Sequence, residues 1–233
     1  MLLAGNTEEY FFCFRKFKSM KKIILLTSVL VITSSAIMAQ QTSFGIKAGI
    51  QQSTLSTKIS EDDIDATLES PRIGFIFGGV ANIKFSENFS VQPNLLLVSK
   101  PSRLVLLGSG DISTMSIDVP INLFYNNNGF FIGAGPNLSY GISSKFKPWE
   151  DGEEDQDLYK GEDGEDAPFK RFEFGVNASL GYQFASGLTI SGNFTRGFNN
   201  LVNTDFDDYK WNYKHFGLSI GYMFGGTKTA AKK

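Results

Sequence analysis

The sequence predicts an all-β fold: an eight-stranded antiparallel up-and-down β-barrel whose strands cross a membrane. Three observations carry that expectation. The stretch Phe172–Phe184 reads FEFGVNASLGYQF. Its even positions are Phe172, Phe174, Val176, Ala178, Leu180, Tyr182 and Phe184, and its odd positions are polar or glycine. A period of two defines a strand with one apolar and one polar face. The run is about twice the usual soluble strand of roughly 5–6 residues, and about 9–11 residues suffice to cross a bilayer at a tilt. The same pattern then recurs along the chain until it has been written eight times. The connections alternate long and short, as barrels with short turns on one side and long loops on the other require.

In order, strand one is expected at Phe44–Gln51, with Phe44, Ile46, Ala48 and Ile50 on one face. A polar segment, Ser53–Ser70, reads as a loop. Strand two, Arg72–Phe85, sets Ile73, Phe75, Phe77, Gly79, Ala81, Ile83 and Phe85 against Arg72, Gly74, Gly78, Asn82 and Lys84. Ser86-Glu87-Asn88 turns the chain into strand three, Phe89–Ser99. There Pro93 has no N–H for the ladder, and Leu96 and Val98 blur the alternation. A second loop, Lys100–Ser113, leads to strand four, Thr114–Tyr125. Asn126-Asn127-Asn128-Gly129 is a hairpin turn, because Asn and Gly tolerate positive φ. Strand five follows at Phe130–Ser143. The third loop, Lys145–Phe169, contains WEDGEEDQDLYKGEDGED, acidic and glycine-rich, and is expected to be mobile. Strand six is the opening stretch. Ala185-Ser186-Gly187 turns into strand seven, Leu188–Arg196. After a fourth loop, Gly197–Trp211, strand eight is Asn212–Phe224.

Composition agrees with a β fold. Of 233 residues, 24 are Gly and 22 are Phe, and aromatics reach 14%. The net charge of −2 gives no sign of a nucleic-acid partner. Mean hydropathy is near neutral, as alternating strands produce. The one continuous apolar run, Ile23–Met38, follows Met20-Lys21-Lys22 and ends in small residues, as a secretory signal peptide does. Thr27, Thr33, Ser34 and Ser35 dilute it below the demand of a membrane-spanning helix. The expected organisation is therefore an upstream extension at 1–19 with translation starting at Met20, a signal peptide at 20–39 cleaved after Ala39, a barrel at 40–224 and a basic tail at 225–233. The single cysteine, Cys13, falls in the leader, so the mature chain is expected to hold no disulfide or thiolate site.

A soluble lipocalin-like carrier also has eight strands, and alternation alone does not separate the two. The polar face does. It is rich in Gly, Ser and Asn with few charges, Lys47, Arg72, Lys84, Asp118 and Glu173, which suits a narrow filled lumen better than a wet surface crowded with Lys and Glu. Aromatics stand at the ends of the apolar face: Phe85, Phe89, Tyr125, Phe130, Tyr140, Phe172, Phe184, Tyr222 and Phe224. These match interfacial girdles.

The segments FGIKAGI (Phe44–Ile50), FSVQPNLLL (Phe89–Leu97), SIDVPINLFY (Ser116–Tyr125), FIGAGPNLSYGIS (Phe131–Ser143) and FGLSIGYMF (Phe216–Phe224) resemble, in order and spacing, the PorT-like outer-membrane β-barrel family. The resemblance implies an eight-stranded barrel in the outer membrane, with one branch of the family assisting protein secretion. It supplies no catalytic motif. The expected role is structural or interactive, through long acidic loops outside the cell, without catalysis. The expected partners are outer-membrane lipid and envelope or secretion proteins, with no nucleic acid, around a monomeric barrel. No catalytic, cofactor-binding or metal-binding residue is expected. His215 faces inward with Ser219 and Met223. A lipid-modifying enzyme would need a third, orienting group beside it, so a lumen hydrogen-bonding or rim histidine is the expected reading. Asp118 and Glu173 are expected to pair with lumen cations rather than line an ion path. The run Glu150 to Asp166 fits no EF-hand spacing and reads as a solvated loop rather than a calcium site.

Overall fold

The computed structural model describes residues 41–61, 64–68, 71–104, 110–149, 155–160, 167–202 and 209–224. The expected leader, signal peptide and basic tail lie outside the described residues. So does most of the acidic run, of which 155–160 are described.

Where the expected alternation stands, a strand forms. The described strands are β1 (Gln41–Glu61), β2 (Ile64–Leu68), β3 (Arg72–Lys84), β4 (Phe89–Leu104), β5 (Gly110–Asn127), β6 (Phe130–Pro148), β7 (Gln156–Asp157), β8 (Phe172–Gln183), β9 (Leu188–Gly197) and β10 (Tyr209–Phe224). Eight of them, β1-β3-β4-β5-β6-β8-β9-β10, follow one another as hydrogen-bonded antiparallel neighbours, and β10 returns to β1 from Phe44↔Phe224 to Ile59↔Tyr209. The closed ring leaves no free edge in hydrocarbon, where an unpaired N–H or C=O costs several kcal/mol. Two short strands, β2 and β7, pair only with the far ends of β1 and β6.

The faces sort as the sequence requires for a bilayer. Leu180 and Ile132 are 63% and 61% exposed, while Glu173 and Asn177 are 5% and 7% exposed. A soluble carrier needs the reverse, so that alternative is excluded. The aromatics expected at the girdles are all exposed. At the short-turn end they form a contact row, with Phe89–Tyr125 ring centroids 5.4 Å apart and Phe130–Tyr182 4.8 Å. The Asn128-Gly129 turn uses φ of 49° and 89°, the paired positive values of a type I′ hairpin whose twist matches that of its strands.

Pro93 does not end its strand. It sits on β4 opposite Ile121, and the β3–β4 ladder passes from Val80↔Asn94 to Ile83↔Val91, leaving the positions beside it unpaired. Leu96 and Val98 face inward and pack with Ile76 in a small apolar cluster. The blurred alternation there is a greasy patch inside the lumen wall. A bulge places Ile142 as an extra residue of β6 between Met115↔Ser143 and Ser116↔Gly141. Beyond it the outward row becomes Ser143, Lys145 and Lys147, as an inserted residue switches the faces of a strand.

The main correction concerns strand length. The segments expected as loops at Ser53–Ser70 and Lys100–Ser113 are in large part strand, and the one at Lys145–Phe169 starts as strand: β1 runs on to Glu61 and turns into β2, β4 reaches Leu104, β5 starts at Gly110 and β6 reaches Pro148. Period-two hydropathy marks only the part of a strand with hydrocarbon on one side. Past that belt the ladder continues with mixed residues on both faces. The third loop is also corrected. Among its described residues, Leu158, Tyr159 and Phe169 are buried with Leu55, Ile112, Leu201 and Tyr213, so this part packs against the barrel's long-connection end.

Candidate functional site

The inward face builds three layers. At the long-connection end the apolar cluster just described covers the ring. Its chain is tied down by backbone bonds from Leu158 N to Ser144 O (2.9 Å), Phe169 N to Leu158 O (3.0 Å) and Lys170 N to Leu201 O (2.7 Å). Arg171 stacks its guanidinium 4.6 Å from the Tyr159 ring centroid and donates to Tyr159 O at 3.2 Å.

Below the cap lies a charged knot. Lys100 on β4 is 1% exposed. Its Nζ donates to Glu173 Oε2 on β8 at 2.9 Å and to Ser139 Oγ on β6 at 2.8 Å, and it stands 3.3 Å from Asp118 Oδ1 on β5. Ser139 and Ser116 donate in turn to Asp118 Oδ1 at 2.5 and 2.7 Å. The Tyr213 ring lies 5.7 Å from the ammonium, and its hydroxyl shares a bond with Thr114 at 3.1 Å. One cation thus ties strands β4, β5, β6 and β8 across the lumen. Buried charges of this kind are held only when paired and hydrogen-bonded.

The third layer is amide and hydroxyl. Asn122 donates to Asn177 at 2.6 Å, Asn177 to Thr195 at 2.7 Å, and Asn193 to Ser219 at 2.6 Å. Lys47 donates to Asn193 Oδ1 at 2.6 Å. Two lumen cavities of about 20 and 30 Å³ lie among these groups. Each has room for about one water molecule.

The sequence-predicted lumen charges distribute as follows. Asp118 and Glu173 meet in the knot, with a cation, Lys100, that comes from the segment expected as the second loop. Lys47 bonds an asparagine instead of a carboxylate. Arg72 sits at the long-connection rim and pairs with Asp111 at 2.6 Å, and Lys84 is half-buried at the other end. His215 faces inward as expected and is 3% exposed, stacked on Tyr213 at 5.4 Å. Neither of its ring nitrogens bonds a protein group, and Ser53, directly across the ladder, also has an unbonded Oγ. The expected hydrogen bond of a lumen histidine to protein is therefore not made, and no nucleophile–base bond stands there either. The signal that Lys100 belonged inside was its parity: it continues the inward row Asn94, Leu96, Val98.

An outer wall of exposed Phe, Leu, Ile and Tyr around a polar, charge-paired interior defines a transmembrane β-barrel protein. The sequence profile described as outer membrane protein beta-barrel domain matches residues 38–203. The chain belongs to that family, and the family places it in the outer membrane. No curated protein matches it significantly. Among solved structures, the chain is similar to Neisserial surface protein A (12% identity, TM-score 0.47, covering 78% of this chain and 98% of that one). It is also similar to Ail, the attachment invasion locus protein of Yersinia pestis (14%, 0.44, 79% and 99%), and to OprG from Pseudomonas aeruginosa (12%, 0.40, 79% and 97%).

Proposed function

We propose that this chain is a non-conducting outer-membrane barrel that acts through its long-connection end, held outside the cell. The observation that supports this reading best is the filled lumen: a charged knot centred on Lys100 beneath an apolar lid that includes Tyr159 and Phe169. Strands β1, β5 and β6 are 21, 18 and 19 residues long, against about 9–11 needed to cross the bilayer. The surplus raises a collar of paired strands beyond the hydrocarbon belt. Short turns on the inner side and long connections outside are the ordinary arrangement of such barrels. Export is proposed to proceed by removal of the signal peptide at 20–39, so the mature protein begins at Gln40.

Two experiments test the reading. The purified full chain in a planar bilayer is expected to give no conductance steps; stable open steps would overturn it. A strain lacking the protein is expected to lose envelope integrity while its secreted proteins stay normal. A secretion defect with an intact envelope would instead favour the accessory-to-secretion role that the PorT-like resemblance implies.

A further inference from the structure

Lys47 of β1 faces the lumen without a carboxylate. Its ammonium donates to Asn193 Oδ1 at 2.6 Å and enters none of the ion pairs found among the described residues. An ammonium carries three N–H donors, and a charge taken out of water is costly unless it is paired. Asn193 supplies no charge, and its groups are already engaged: Oδ1 also accepts from Ser179 Oγ at 3.1 Å, and the amide donates to Ser219 at 2.6 Å.

Lys47 stands between the two lumen cavities and lines both. They differ in charge. The one toward the knot is lined by Asp118, whose Oδ1 accepts from Ser116 and Ser139 and stands 3.3 Å from the Lys100 ammonium. The other, about 30 Å³, reaches Asn126 and Gln183 beside the short turns and has no Asp or Glu in its lining. Around Lys47 it gathers Asn82 of β3, Gln92 of β4 and Ser191 of β9. Asn82 and Ser191 are 7% and 6% exposed, and neither side chain has a hydrogen-bond partner among the described residues.

Amides, a hydroxyl and an ammonium all donate. A ring of donors around one unpaired cation, with no carboxylate to oppose it, favours a negative guest. The space suits one particle about the size of a water molecule, which admits a monatomic ion and refuses a phosphate. A water molecule would satisfy the amides and the hydroxyl but would leave the ammonium without a counter-charge.

We propose that this chamber at the short-turn end of the lumen is a binding site for a single halide ion, chloride in the cell, held by the Lys47 ammonium with Asn82 and Ser191. The site goes beyond the non-conducting reading and is independent of it, since an ion held beneath a filled lumen carries no current. The test uses the purified full chain. Crystals grown with bromide in place of chloride are expected to show an anomalous-scattering peak in the chamber, beside Lys47. In lipid vesicles the urea midpoint is expected to be higher in sodium chloride than in sodium gluconate at equal ionic strength. A ligand that binds only the folded state stabilises it, and gluconate is too large to enter. Lys47→Met is expected to erase the difference and K47R to keep it. Asn82→Asp sets a carboxylate in the chamber, so its midpoint is expected to be independent of chloride and, in gluconate, above that of the unaltered chain. A water peak without anomalous signal, equal midpoints in the two salts for the unaltered chain, or a chloride dependence that survives in Lys47→Met would overturn the site. So would a bromide peak confined to the cavity that Asp118 lines. Where a variant yields no folded barrel, the bromide map of the unaltered chain decides alone. Conductance steps in a planar bilayer with the bromide peak in place would refute the closed lumen and leave the site standing.

Discussion

Lys100→Met should be the most damaging single change in the lumen. The ammonium is within 2.9 Å of Glu173, 3.3 Å of Asp118 and 2.8 Å of Ser139, and the three charged side chains are 2–7% exposed. Removing it leaves two carboxyl groups facing each other without their cation in a water-poor lumen. Breaking a buried pair from one side costs about 3–5 kcal/mol. Glu173→Gln costs less, about 1–3 kcal/mol, because Lys100 keeps Asp118 and Ser139. The triple change K100M/D118N/E173Q removes every charge together and should recover most of the loss, since a neutral replacement of a buried ion group is often tolerated. The assay is urea unfolding of the protein in lipid vesicles, read by the mobility difference of folded and unfolded forms on unheated gels. If Lys100→Met unfolds at the wild-type urea concentration, or the triple variant is weaker than the single one, the knot does not hold the lumen together and the reasoning fails.

Three further outcomes follow from the geometry. Gly135→Ala drives a Cβ onto the carbonyl oxygen of Ile121, whereas Gly79→Ala points into open space; the first should cut the yield of folded barrel sharply and the second should leave it unchanged, by the same gel assay. Phe169→Ala removes a buried ring packed at 5.7 Å against Trp211 and should cost about 3–5 kcal/mol, seen as faster hydrogen exchange at 155–160 with β8 still protected. His215→Ala should leave the lipid composition of the membrane unchanged, because its ring is enclosed in the lumen and bonds no nucleophile; an altered lipid profile would revive the enzyme reading.

The parts of the fold legible in the sequence are those where lipid imposes a rule. Phe172 to Phe184, Phe130 to Ser143 and Arg72 to Phe85 alternate because one side of each strand meets hydrocarbon, and their boundaries at the short-turn end fall within a residue or two of β8, β6 and β3. Outside that belt no rule acts on alternate residues, so β1, β4, β5 and β6 run on through stretches that read as loops. Lys100 was lost there: flanked by Ser99 and Pro101, it has the composition of a turn, and only its parity betrays it. Leu158-Tyr159 was lost in another way, as two apolar residues within an acidic run. Their burial depends on partners from four other segments, Leu55, Ile112, Leu201 and Tyr213, and no local pattern announces that. The inward orientation of His215 was legible; its want of a protein hydrogen bond depends on what the facing strands bring to it, and was not.

The central claim is that hydrocarbon surrounds the wall and the polar side chains are enclosed. Single cysteines at positions 132, 180, 173 and 177, each in a chain whose Cys13 is replaced by Ser, can carry a nitroxide label in lipid vesicles. Labels at 132 and 180 should collide with dissolved oxygen and be shielded from an aqueous nickel chelate, while 173 and 177 should be sheltered from both or perturb folding. Strong nickel-chelate contact at 132 and 180 would contradict the account.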